Sequence, residues 1–191
     1  VSEGRYQQAC AFALAAMSGA RKSELLRFKV EYFSPENVKI EGALYKTPKI
    51  KTKGHGKNGK QINKYVLYDF KKYLDLWMKE RKQLGIESEW IFVHKSSDGS
   101  YEQMKVSTLD SWANIFSKEL GVDFYLHSMI HYLTTKMKKY NIPDHVIKEY
   151  FQWNSVEMIG IYSDIDASDD FAKYFNKNGM VEGKSGSISD I

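Results

Sequence analysis

Between Leu126 and Tyr162 the chain gathers side chains suited to an anionic ester. His127 and His131 stand four residues apart, so a helix turns both to one side. Trp153 and Tyr162 follow, nine residues apart. A tyrosine hydroxyl can attack an ester and keep the transferred group covalently, while imidazole and indole N–H groups can hydrogen-bond the oxygens on which charge develops. The expectation is that these four side chains meet around one phosphate. A metal site is the competing chemistry for the histidine pair. It is the weaker one, because H-x-x-x-H lacks the glutamate of a zinc protease and no third ligand is spaced to complete it, so neither metal nor cofactor is expected.

The helix that must present the histidines repeats Met129, Leu133 and Met137 at i, i+4 and i+8 as its buried stripe. His127, His131, Thr134 and Lys138 form the stripe beside it, a polar face except at Ile130. An isoleucine there leaves out a hydrogen-bond donor where one is looked for. Far upstream, Arg21 sits on a turn with Glu24 three residues on, a carboxylate able to hold the guanidinium in one orientation.

Net charge is only +4, but it is unevenly spread. From Gly42 to Tyr68 there is no Asp or Glu, while Lys46, Lys49, Lys51, Lys53, Lys57, Lys60, Lys64 and His55 all fall there. A basic hairpin for a polyanion is expected, with Lys46, Lys49, Lys51, Lys57 and Lys60 among its contacts, against the plainer reading of a solvated loop. With 191 residues, 42% of them hydrophobic, the chain can bury a core of its own. One domain over residues 1–178 is expected, followed by a flexible tail over 179–191. The chain opens on Val1 without an initiator Met, which suggests that an N-terminal part precedes it. No long apolar run and no secretion leader stand in the sequence, so a soluble cytoplasmic protein without a membrane span is expected. Cys10, the only cysteine, lies among alanines and reads as a core residue in a reducing compartment.

Periodicity predicts a helix over 3–17 with Tyr6, Ala9, Cys10, Ala13, Leu14 and Met17 inward, a break at Ser18-Gly19, and a second helix capped by Ser23. Val38–Ile40, Ala43–Tyr45 and Tyr65–Leu67 predict a small antiparallel sheet with a glycine-rich lysine turn, Lys51 and Lys53 lying at a strand end. Helices are expected over about 69–84, 106–120 and 127–140, a short buried strand or extended segment over 89–93, a loop over 96–100, a helix after Pro143 and one more over 169–176. The class is α+β, mostly helical with a small antiparallel sheet and hairpin.

The run Ser18-Gly19-Ala20-Arg21-Lys22-Ser23-Glu24-Leu25 resembles the first arginine box of the tyrosine recombinases, the phage integrase family, whose usual form is SG-x-R-x-SEL. His127-Ser128-Met129-Ile130-His131 resembles that family's H-x-x-R-H, and Trp153 and Tyr162 stand at its spacings. The resemblance spans nearly the whole chain. It implies that Arg21 is the first catalytic arginine with Glu24 in support. Lys53 then matches the hairpin lysine that acts as general acid, with Lys51 as the fallback. His127 opens the second box and His131 closes it, Trp153 takes a position that is His or Trp in the family, and Tyr162 is the nucleophile. Ile130 stands where the family has its second catalytic arginine. The resemblance further implies a site-specific DNA recombinase, the integrase of a mobile element or phage, working on double-stranded DNA through a 3′-phosphotyrosyl intermediate without cofactor. Such an enzyme assembles as a tetramer on paired sites, and is expected as a monomer away from DNA, in a prokaryotic nucleoid. An N-terminal DNA-binding domain is then the part missing from this chain.

An isoleucine cannot hydrogen-bond a phosphate, and losing one oxyanion donor lowers a rate by roughly 10²–10³. Cleavage by the chain as written is therefore expected to be impaired while fold and DNA contacts survive, unless another cation substitutes. Two other readings are a DNA-binding module that has abandoned catalysis and a type IB topoisomerase-like enzyme, which relaxes supercoils as a monomer.

Overall fold

The structure, a computed structural model, describes residues 5–52 and 60–164, with the backbone of Phe175–Asn176 and Gly179–Met180. Helix α1, Tyr6–Ser18, is built on alanines, the best helix formers, and buries Cys10, Ala11, Leu14 and Ala15 completely. Burial also pushes the Cys10 thiol far up, which leaves it protonated and inert. Gly19 ends the helix at φ 58, its N–H donating to Ala15 O. The next helix, α2, is one turn, Lys22–Leu25. Ser23 is not its cap. Arg21 takes that place, because the Glu24 carboxylate reaches back to the Arg21 N–H at 3.0 Å and satisfies it.

The strands follow the predicted order. Val38–Ile40 (β1) and Leu44–Lys46 (β2) are followed by the two-residue pair Ile50–Lys51 (β3) and Gln61–Ile62 (β4), which closes a hairpin, and then by Tyr65–Leu67 (β5). The antiparallel sheet runs β1-β2-β5, with Tyr45 opposite Val66 and Lys46 opposite Tyr65. Helix α3, Lys71–Gln83, packs on α1. Where a strand or extended segment over 89–93 is expected, Trp90 makes an isolated antiparallel bridge with Lys29, and the ladder begins at Val93–Lys95 (β6), paired with Tyr101–Gln103 (β7). The buried Arg81 guanidinium takes the carbonyls of Ser88, Trp90 and Ile91, and the Trp77 indole also donates to Ile91.

Helix α4, Val106–Leu120, has the expected bounds and ends at Gly121. Helices α5 (Ser128–Lys139), α6 (Asp144–Phe151, started by Pro143) and α7 (Glu157–Tyr162) complete the described chain. The helix expected over 169–176 is not there at its end: Phe175–Asn176 (β8) pairs with Gly179–Met180 (β9), which also falls inside the expected tail. No helix among the described residues is long and apolar enough to cross a membrane.

Apolar side chains form two cores. The larger lies among α1, α3 and the sheet. The smaller joins Tyr65 of β5 to Ile130, Leu133 and Met137 of α5, to Ile147, Tyr150 and Phe151 of α6, and to Ile159 and Tyr162 of α7. Helix α5 lies between them, with Met129 packed on the larger core. The Tyr150 hydroxyl donates to Met17 O across the seam, and the Tyr65 hydroxyl bonds Glu149 at 3.1 Å.

Gly19 sits at a close approach across that seam. A Cβ built there lies 2.2 Å from Phe151 Cε1, on a backbone that L side chains rarely adopt. Gly19→Ala is expected to cost about 2–5 kcal/mol, the left-handed penalty added to overpacking. Gly121→Ala, with the same sign of φ and nothing within 4 Å of the added atom, should cost only the first part. Urea denaturation midpoints of the two variants check this difference.

Candidate active site

Arg21 enters the site from the cap of α2, its guanidinium half-exposed and 3.6 Å from Glu24 Oε1. Glu24 is wholly buried, and its Oε2 also meets Lys64 Nζ at 2.7 Å. Lys64, counted above only as one of a basic run, is a buried residue at 5% exposure. Lys64 lies in the short connection between β4 and β5, amid the buried Ile62, Tyr65 and Val66, where a lysine needs a partner. Arg21, Glu24, Lys60, Lys64, Ile130 and Trp153 line one cavity of about 400 Å³ along the seam between the two cores. Lys60 Nζ bonds Asn154 Oδ1 at 2.8 Å and so ties the hairpin to the α6–α7 loop.

Ile130 does not stand on a polar face. It is 3% exposed, one wall of the cavity and part of the smaller core, and Thr134 one turn on is also buried, its hydroxyl donating to Ile130 O at 2.7 Å. A helix wedged between two cores carries two apolar stripes, so reading only the Met129 stripe as buried assigns the other wrongly.

Five aromatic rings form a cluster beside the cavity. Gln152 takes a left-handed conformation, φ 56, after α6 and turns the chain there. Phe151 stacks on Trp153 at 4.4 Å, and Trp153 on Tyr162 at 5.2 Å. His127 and His131 meet the Tyr162 ring edge-on at 5.4 and 5.0 Å and each other at 5.9 Å. His131 Nδ1 lies 3.6 Å from Asp164 Oδ1. The structure therefore brings Arg21, Glu24, Ile130 and Trp153 around one cavity, stacks Tyr162 on Trp153, and packs His127 and His131 against Tyr162.

Partial burial, then the neighbouring His131 and Arg21, hold the His127 pKa below its ordinary value. The ring is thus neutral at neutral pH, able to donate from one nitrogen and accept at the other. Arg21→Ala should raise the His127 midpoint toward the ordinary histidine value, read from ¹⁵N shifts across a pH titration; an unmoved midpoint contradicts the electrostatic link.

Of the basic run, Lys46 lies over the Tyr65 ring at 5.6 Å, while Lys49 and Lys51 are exposed. Lys51 also offers its carbonyl to Arg27. Lys53 and Lys57 lie outside the described residues. Among the described residues no group of three or more His, Cys, Asp or Glu is placed to hold a metal ion.

With that geometry established, the sequence profile of the phage integrase family matches residues 2–169. The chain belongs to the phage integrase family. The integrase of Salmonella phage P22 is 26% identical over 91 residues, which are 44% of this chain and 24% of that protein. Among solved structures, the fold is similar to the XerA recombinase at a TM-score of 0.67 and 15% identity, covering 92% of this chain and 59% of that one. It is also similar to the XerH site-specific recombinase bound to palindromic difH substrate in a post-cleavage complex, at 0.66 and 18%, covering 91% and 46%. The Tn1549 transposon integrase in complex with circular intermediate DNA matches at 0.58 and 13%, covering 87% and 56%. The chain thus spans about half, or less, of the length of each of these integrases and recombinases.

Proposed function

We propose that this chain is the catalytic domain, over residues 1–178, of a site-specific DNA recombinase, and that Ile130 impairs its strand cleavage. The single observation that carries this reading is the convergence on one cavity of residues from separate parts of the chain: Arg21 from α2, Lys60 and Lys64 from the hairpin region, Ile130 from α5 and Trp153 from the α6–α7 loop, with Tyr162 stacked on that tryptophan. Family membership gives the reading its reaction class, and the DNA complexes of the Tn1549 integrase support duplex DNA as the partner.

In the reaction proposed, the Tyr162 oxygen attacks the phosphorus of one backbone ester and the bond to the 5′-oxygen breaks. The phosphoryl group stays on Tyr162 as a 3′-phosphotyrosyl ester, which keeps the bond energy for rejoining. His127 and His131 are the bases packed against the phenol that loses its proton. The leaving 5′-oxygen takes a proton from the hairpin lysine, Lys53 or Lys51. Arg21 and the Trp153 indole hold the non-bridging oxygens. No donor comes from residue 130. Assembly as a tetramer on paired sites belongs to the same proposal.

Ile130 also favours a second reading, a DNA-binding module that no longer cuts. Both readings require binding through phosphates, so the affinity for a duplex should fall with salt at a log–log slope of about 0.9 per phosphate neutralised. Fluorescence anisotropy with Lys49→Ala, Lys51→Ala and Lys60→Ala should lower that slope, and a salt-insensitive affinity overturns the basic footprint. The readings part on cleavage: the recombinase regains it when an arginine is restored at position 130, and the module does not.

A further inference from the structure

The reading of the cavity as a phosphate site leaves one buried ion unexplained. Lys64 is 5% exposed, fixed between Ile62 and Val66, and its one described ionic partner is the Glu24 carboxylate at 2.7 Å. Glu24 is fully buried, and its Oε1 has no hydrogen-bond partner in the structure. The next cation is Arg21, whose guanidinium sits 3.6 Å from that same oxygen with almost half its surface open. A buried carboxylate in a low-dielectric wall attracts the nearest cation strongly and repels an incoming oxyanion. Two groups therefore compete for Arg21: the carboxylate behind it and the phosphate in front of it.

We propose that Lys64 is a positioning residue for Arg21: its ammonium neutralises Glu24 and so leaves the Arg21 guanidinium to an oxyanion in the cavity. This rests on the phosphate-site reading above. With the pair intact, the three groups leave one net positive charge, carried by the outermost of them. Without Lys64, Arg21 is the one cation left beside Glu24 among the described residues, and the guanidinium turns inward to pair with it. The oxyanion then faces a neutral ion pair.

The same arrangement gives a pH signature. Burial holds the Lys64 pKa below the usual lysine value; Glu24 opposes this and Arg21 adds to it. As pH rises through that lowered value Lys64 loses its proton, Glu24 becomes uncompensated, and the site loses its anion. The other ionisable groups nearby are Lys60 at the exposed rim, bonded to Asn154, and His127, which is neutral throughout the alkaline range. Arginine at position 64 does not deprotonate and removes the alkaline loss.

The test titrates the full chain with sodium sulfate, a tetrahedral dianion at every pH used, against sodium chloride at constant ionic strength. The reporter is the Trp153 indole N–H resonance. Lys64→Met should weaken sulfate binding about tenfold or more, as expected for a lost charge-assisted contact. Lys64→Arg should bind as the parent does at neutral pH and keep binding where the parent fails. If Lys64→Met does not fold, the double variant E24Q/K64M removes both buried charges, and its sulfate affinity should return to near the parent's. Sulfate binding that survives Lys64→Met but falls in Arg21→Ala overturns the role of Lys64 alone, as does an alkaline loss that persists in Lys64→Arg. Binding unchanged in Arg21→Ala overturns the phosphate-site reading itself.

Discussion

Ile130→Arg will raise covalent strand cleavage by about 10²–10³, the effect of supplying one missing oxyanion donor, and by more if both forks of the guanidinium engage. The position is suited to this, because Ile130 lines the cavity that Arg21 and Trp153 also face, and that cavity, at about 400 Å³, can take the longer side chain. The substitution has a cost. Ile130 belongs to the smaller core, where it is 3% exposed beside Leu133, Ile147 and Ile159. The arginine stem must pass along that apolar wall, which is expected to destabilise the fold by about 1–3 kcal/mol. A variant that gains activity while losing stability is a strong signature, because nonspecific rescue by better folding has the opposite sign. The rate is read from nicked suicide duplexes that trap the adduct, and the stability from urea denaturation.

Tyr162→Phe in that restored background will abolish the covalent adduct completely and leave fold and DNA affinity nearly unchanged. The ring makes the structural contacts: stacking on Trp153 and edge contacts with His127 and His131. A phenylalanine keeps them all. No described residue hydrogen-bonds the Tyr162 hydroxyl, so its removal strands no partner among them. Thermal unfolding within about 1 °C of the parent, together with total loss of adduct, separates a nucleophile from a packing residue. A residual adduct in this variant places the nucleophile among the chain's other tyrosines.

Much of this was legible in the residues. Helix α4 could be bounded to the residue because Gly121 and an amphipathic stripe mark it, and the sheet because Val38–Ile40 and Tyr65–Leu67 are β-rich runs beside glycines. The cap of α2 was misplaced by two residues. Ser23 has the right chemistry, but Glu24 reaches the Arg21 N–H from within the helix, a contact no propensity encodes. Ahead of strand β6, Trp90 pairs only in an isolated bridge with Lys29, while the buried Arg81 guanidinium takes the carbonyls of Ser88, Trp90 and Ile91, contacts no periodicity encodes. For the site, residue types and spacing singled out Arg21, His127, Ile130, Trp153 and Tyr162, which the structure brings into one neighbourhood. They did not give the burial of Ile130 or Lys64. Both depend on α5 and the hairpin being covered from a second side, and a periodicity finds one buried face at a time.

The most direct test is mass spectrometric mapping of the peptide that remains attached to DNA after the Ile130→Arg protein is trapped on nicked suicide duplexes. The expected product is a 3′-phosphotyrosyl ester on Tyr162, lost in Arg21→Ala and in Tyr162→Phe. An adduct on any other tyrosine, or none from a protein that folds and binds DNA, contradicts the assignment of this cavity as the place where the strand is cut.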